Sequence, residues 1–308
     1  MSTTVDDTRQ RRLQLLATGA LLAMTACWGS TFFLIKDLLD RVPTLDFLAV
    51  RFSIAAVAMV LVAPRALQRL SAQARRQALV LGLLYGVAQI LQTAGLAHTP
   101  ASVSGFITGM YVIATPLFAA VLLRTRITRV TWAAVLLAMA GLGVLTLDGF
   151  SVGYGEAITL VAAMLYALHI VGLGAWSNAS DALGMSIVQI IVIAVVCLIA
   201  SVPDGIVLPP TTGDWLSVVY MALVAGALAL VAQTWAQSHL PATRSAIIMS
   251  MEPVFAAGFA VALGGESATA RMLLGGLMVL TAMIVVETRG GGDDREGPLE
   301  GEVQHLAV

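Results

Sequence analysis

The sequence predicts an all-α integral membrane protein: ten transmembrane helices folded as a 5+5 inverted repeat. Three observations carry that prediction. Of 308 residues, 58% are hydrophobic and 11% charged, whereas a soluble domain needs about 25% charged residues to solvate its surface. The apolar residues fall into ten runs, most of them near the 20 or so residues that cross a hydrocarbon core of about 30 Å. Finally, the chain repeats itself, with an odd number of runs in each copy.

The runs lie near 13–35, 45–63, 78–97, 102–123, 131–147, 155–175, 184–202, 216–238, 244–264 and 271–287. Nearly all are apolar all round, which excludes soluble helices with a wet face. Short connections leave no room for an extramembrane domain. The first run follows Arg9, Arg11 and Arg12, as in a secretory signal, and contains Thr25-Ala26-Cys27, which resembles a lipoprotein cleavage box, but from Leu13 to Ile35 it is too long for a signal core. It is expected to stay as the first span. The tail 291–308, rich in Gly, Asp and Glu, is expected to be disordered. Cys27 and Cys197 fall inside apolar runs, so neither a disulfide framework nor a metal site is expected, and nothing calls for a cofactor.

Basic residues set the orientation. Arg9, Arg11, Arg12, Arg65, Arg69, Arg75, Arg76, Arg124, Arg126, Arg129, Arg244, Arg289 and Arg295 fall on the side of the N-terminus, against Lys36, Arg41 and Arg271 opposite. That bias predicts a multi-pass protein of a bacterial inner membrane with both termini cytoplasmic. The clusters are most simply topology signals and contacts to anionic lipid.

The internal repeat is visible in LQTAGLAHTPAS, from Leu91, and AQTWAQSHLPAT, from Ala232, at an offset of 141; Pro116-Leu117-Phe118-Ala119-Ala120 is echoed by Pro253-Val254-Phe255-Ala256-Ala257. At an offset of 138, Trp28 falls on Tyr166 and Arg51 on Gln189. The halves are 13–150 and 151–290, with five spans each. An odd number forces the second half upside down, the architecture in which a midplane site is exposed to either face by turns.

These residues resemble the drug/metabolite transporter superfamily, EamA type. The resemblance rests on Cys27-Trp28-Gly29, Arg51-Phe52, the stretch Gly105 to Tyr111 leading to Pro116, and Glu252-Pro253-Val254-Phe255 followed by Gly265-Glu266. It covers roughly 13–288 and implies a basket of ten helices that moves small organic solutes, often outward. Two positions differ from the family pattern: His98 stands where an aromatic residue is commoner, and the first copy has Thr115-Pro116 in place of Glu-Pro.

Polar groups within a span are costly in lipid and face the bundle interior. Tyr85, Gln89 and Gln92 share a face at i, i+4, i+7; Trp28 with Thr31, Thr108 with Tyr111, Tyr166 with His169, and Gln233 with Gln237 are further same-face pairs. Together they are candidates to line a solute pocket with amides and aromatic rings, suited to a zwitterion or a neutral polar metabolite with an apolar part. The plainer reading is interhelical bonding, worth about 0.6 kcal/mol per contact.

Glu252 is the only acid deep in a span, and Pro253 follows it, removing the donor for the carbonyl of Met249 and bending the helix. Two roles are open: a structural carboxyl bonded to a neighbouring helix, or a carboxylate that couples proton movement to solute exit. Pro116 is a kink, structural or gating. Arg51 is a candidate for gating or for a solute carboxylate, unless it lies near enough to a span end to snorkel. His98 and His239 recur at span ends before Pro100 and Pro241, which suggests helix capping rather than proton relay. Gly141, Gly143, Gly275 and Gly276 read as close-packing positions.

The expected function is a secondary transporter that exports a small organic metabolite, an amino acid or related compound included, by alternating access. Its partners are the solute, the lipid bilayer and protons; no nucleic acid is implied, and the oligomeric state stays open. Alternatives are an importer, an uncoupled facilitator, a membrane sensor without flux, and an intramembrane enzyme. The last lacks a nucleophile with its base: there is no GxSxG and no HExxH, and the four histidines are scattered.

Overall fold

The computed structural model describes residues 2–99, 101–146, 153–201, 205–263 and 268–289; the expected disordered tail 291–308 lies outside them. The helices are α1 (Ser2–Gly29), α2 (Thr31–Leu39), α3 (Thr44–Val62), α4 (Pro64–Arg69), α5 (Ala72–His98), α6 (Ala101–Gly109), α7 (Tyr111–Leu122), α8 (Arg129–Thr146), α9 (Tyr154–Trp176), α10 (Ala182–Ser201), α11 (Thr212–Ala222), a π-turn (Leu223–Leu228), α12 (Ala229–Gln237), α13 (Ala242–Met249), α14 (Glu252–Leu263) and α15 (Ala270–Arg289). Apart from the short α4 they make ten spans among the described residues, because α1–α2, α6–α7, α11–α12 and α13–α14 are each one interrupted rod. Among the described residues, five helices are long and apolar enough to cross a membrane on length and composition alone: Thr44–Val62, Ala72–His98, Tyr154–Trp176, Ala182–Ser201 and Thr212–Gln237.

Helix starts follow local chemistry. The Ser71 hydroxyl accepts from Ala74 N at 3.1 Å to cap α5. Its counterpart 140 residues on, Thr211, accepts from Asp214 N at 3.1 Å while the Asp214 carboxylate accepts from Thr211 N, closing a capping box on α11. Repeated sequence thus produces repeated helix ends.

The packing has the symmetry that the repeat demands. The third span lies against the sixth (α5, α9), and their repeat-mates, the eighth and first, also pack together (α12, α1). The second span meets the seventh (α3, α10) and the fifth meets the tenth (α8, α15), each pair joining equivalent elements of the two halves. Small residues allow this closeness: a Cβ on Gly141 would stand 2.9 Å from the Gly275 carbonyl and from Met278 Cβ. Large apolar side chains turn outward instead, with Val62 85% and Val121 77% exposed; such a surface is stable only against acyl chains.

Candidate solute site

All four interruptions fall inside the bundle. In the fourth and ninth spans they are repeat-mates: Met110 N donates to Ile107 O at 3.1 Å and Met251 N to Ile248 O at 3.2 Å, both i→i−3 contacts in place of the α-helical i→i−4, at the offset of 141. Tightened turns inside a helix recur both at functional hinges and at points of strain. Pro253 lies in the first turn of α14, where a missing N–H costs nothing. Pro116 instead sits within α7, leaving the carbonyl of Val112 without its donor.

A cavity of about 60 Å³ opens at this level, room for a few water molecules. The first residues of three resumed helices, Thr31, Tyr111 and Glu252, line it, with Thr108 and Met249 from the turns before two of the breaks. From α5 come Tyr85, Gln89 and Gln92, from α9 Tyr166 and His169, from α12 Gln233, and Trp28 and Arg51 complete the polar wall. Every member of the predicted lining set borders this one cavity except Gln237, which lies behind it and donates to Ile170 O at 2.9 Å.

Hydrogen bonds order the wall. Tyr166 Oη donates to Gln92 Oε1 at 2.7 Å, and Gln92 Nε2 donates to Thr108 Oγ1 at 3.1 Å. In the other half Gln233 Nε2 donates to Gln237 Oε1 at 3.1 Å and touches Met249 S at 3.9 Å. Since Gln233 is the repeat-mate of Gln92, and Met249 that of Thr108, one contact is built twice. Tyr85 bridges the aromatic side, 5.6 Å from the Tyr166 ring and 5.0 Å from that of His169. Gln189 Nε2 donates to Met185 O at 3.3 Å, so its Oε1 accepts, which puts the proton of His169 on Nε2, 2.8 Å away. Two buried oxygens, Tyr111 Oη and Gln233 Oε1, have no partner among the described residues.

Two charged groups share this wall. Arg51 is 4% exposed; its Nε donates to Met221 O at 3.1 Å and its guanidinium lies over the rings of Phe47 and Phe52, 5.8 and 5.0 Å from their centroids. The snorkelling expected as one possibility is therefore not what Arg51 does: carbonyl and rings hold it inward. Glu252, half-buried, accepts no hydrogen bond from a described side chain, and it is the only acid among the wall's described residues. No cluster of His, Cys, Asp and Glu able to hold a metal occurs among the described residues.

The wall also contains Phe32, Ile35, Thr93, Leu96 and Ile170, which sequence reasoning did not single out. Each extends a polar stripe by one helical turn: Phe32 and Ile35 follow Trp28 and Thr31 by four, Thr93 follows Gln89 by four, and Ile170 follows Tyr166 by four. Met249 is signalled by the repeat itself. Thr93 was legible from that spacing, but the apolar side chains carry no mark of a cavity.

Away from the cavity, one end of the bundle is tied across the halves. Arg41, just past α2, places Nη2 2.6 Å from Asp214 Oδ1 and 2.5 Å from Asp37 Oδ2, and Asp46 Oδ2 accepts from Val207 N at 2.9 Å. The hydrogen bond from Arg41 holds both Asp37 and Asp214 below the ordinary aspartate value, with Thr211 adding to the effect on Asp214. At the ends of other spans, His239 Nδ1 lies 2.9 Å from the Trp235 carbonyl, inside its own last turn, while His98 is exposed and stacks edge-on with Tyr154 at 5.7 Å.

Among known proteins, the sequence profile described as the EamA-like transporter family matches residues 15–147 and again 153–288. A protein of Archaeoglobus fulgidus described as an uncharacterized transporter is 28% identical over 277 residues, 90% of this chain and 87% of that one. A solved crystal structure superposes with a TM-score of 0.75 at 16% identity, covering 88% of this chain and 96% of the other, a likeness of fold.

Proposed function

The chain belongs to the EamA-like transporter family, and from that premise we propose that it is a secondary permease exporting a small organic metabolite across a bacterial inner membrane by alternating access. The observation that carries the proposal is the coincidence of the cavity with the breaks: residues opening three resumed helices, drawn from both halves, line one polar pocket. Interrupted helices at membrane depth are tolerated where they border a cavity, and they supply the hinges for rocking one half against the other. In this reading the moving halves are 13–150 and 151–290. Both termini lie in the cytoplasm, as the distribution of basic residues argues, and the Arg41–Asp214 tie lies on the outer side.

Glu252 gives the cycle a proton. It is the only acid among the wall's described residues, it opens a half-helix, and no described cation is within salt-bridge distance. Ionisable side chains at this depth are rare and mark solute or ion pathways and proton relays, which makes an acid lining the cavity the candidate coupling group. This favours coupled transport over a passive facilitator.

The test is counterflow and gradient-driven flux in proteoliposomes loaded with an amino-acid and organic-acid mixture. Wild-type protein should release at least one solute faster when the pH gradient is inward. Glu252→Gln should lower that pH-driven component at least about tenfold, equivalent to about 1.4 kcal/mol, while solute exchange at equal pH persists. Undiminished pH-driven flux ends the coupling assignment; a wild-type protein that moves nothing ends the carrier reading.

A further inference from the structure

Arg51 is the eighth residue of α3, about 10 Å along the span from its start at 1.5 Å per residue. Buried charges are normally paired, because an isolated ion loses its hydration without compensation. Arg51 has no carboxylate among the described residues within 4.0 Å. Its Nε is spent on the Met221 carbonyl, and its two Nη nitrogens, which carry four of its five N–H donors, bond to no described residue. The side chain borders the cavity.

A backbone irregularity fixes this geometry. Directly after Met221 and Ala222 the eighth span widens into the π-turn Leu223–Leu228. A π-turn spreads its carbonyls off the regular ladder, opening them to outside donors, and such turns recur at functional sites. Two carbonyls here receive cavity-wall side chains: Met221 O takes Arg51 Nε at 3.1 Å, and Ala225 O takes Trp28 Nε1 at 2.8 Å. With Nε pinned and Phe47 and Phe52 beside its planar face, the guanidinium fork is held in one orientation before any solute arrives. The other half offers nothing equivalent. At the matching position stands the neutral Gln189, whose amide is used by His169 and Met185, and α5, the repeat-mate of the eighth span, has no π-turn.

We propose that Arg51 selects the solute: its Nη nitrogens receive a carboxylate in the bidentate geometry that guanidinium favours, so the substrates are small organic acids with a free carboxylate, amino acids included. This rests on the carrier reading above. A single cation suits a monocarboxylate better than a dianionic phosphate ester, and the small cavity suits a short one.

The experiment uses purified protein in nanodiscs and proteoliposomes. The probes are the twenty common amino acids and simple 2-hydroxy and 2-oxo acids, each beside its amide, with phosphate esters of similar size as a third arm. At least one acid should raise the unfolding temperature and drive counterflow, with its amide weaker at least about tenfold. Arg51→Gln should abolish the acid-over-amide preference, bringing the acid down to the level of its amide. Arg51→Lys, which keeps the charge but not the fork, should retain the acid-over-amide preference at reduced affinity and vouch for a folded protein. The inference is overturned if amides or phosphate esters match the acids, or if Arg51→Gln keeps the preference. Counterflow of uncharged solutes alone would refute it and spare the carrier, whereas no movement of any solute would remove both.

Discussion

At the scale of single residues, the wall separates groups that face the cavity from groups that brace it. Tyr166 does both, since its hydroxyl donates to Gln92, which in turn fixes Thr108. Tyr166→Phe should lower stability by about 0.6 to 1.7 kcal/mol, from the average to the largest value for hydrogen bonds between membrane helices, and also change solute affinity, because Gln92 is then free to turn. Gln237→Ala should cost a similar amount yet shift selectivity less, since Gln237 stands behind the wall, bonds to the Ile170 carbonyl and reaches the cavity only through Gln233. Unfolding midpoints and counterflow selectivity measured on both variants separate the two roles; equal shifts in selectivity would contradict the assignment. The same contrast shows why sequence reads such sites imperfectly. Polar residues inside an apolar run announce that they are inward, but helical spacing gives a face rather than a depth. Gln233 and Gln237 share that face, and only the bond to Ile170 reveals which of them is turned away.

At the scale of helices, what sequence shows well is where apolar runs begin and end. The fourth run, read as 102–123, is α6–α7 at 101–122, and the seventh, read as 184–202, is α10 at 182–201. Breaks inside a run are another matter. Leu-Val-Ala-Gly-Ala-Leu gives no hint that 223–228 is a π-turn, since a widened turn exposes no polar side chain and needs no proline. Pro253 does announce a break, but Met110, its partner hinge residue's counterpart to Met251, has no proline within reach. Packing between helices makes a sharper prediction. The fifth and tenth spans meet where a Cβ on Gly141 would stand 2.9 Å from a backbone oxygen that cannot turn aside. Gly141→Ala should therefore cost about 1–3 kcal/mol by overpacking, and Gly141→Leu should abolish the monodisperse peak in size-exclusion chromatography. By contrast Gly19, with nothing within 4 Å, should accept alanine without loss.

At the scale of the whole molecule, the odd number of spans in each half was readable, and with it the inversion; the tie at one end was not, because Arg41 and Asp214 are 173 residues apart. On the proposed cycle that tie must open when the cavity faces its side. Asp214→Asn should speed thiol labelling of a cysteine placed at Leu96 from the Arg41 side, in a background where Cys27 and Cys197 are replaced; unchanged labelling would show that the tie does not gate. Acid should act alike only at an extreme. Because Arg41 depresses both aspartates, their contribution to closure is present above the ordinary aspartate value of 3.8 and is lost as pH falls through their still lower values in the folded protein. Labelling from pH 7 down to pH 5 should therefore be flat for this contact.

The two prolines of the hinge region sit at unlike distances from their breaks: Pro116 comes six residues after Met110, and Pro253 two after Met251. The difference of four is close to one helical turn, so the halves are relatives and not copies. A machine whose two postures were mirror images would rest equally in both. On the proposed cycle the exchange of shapes would be lopsided, and an imbalance of only about 1.4 kcal/mol would keep roughly ten molecules of every eleven waiting on the same side of the membrane.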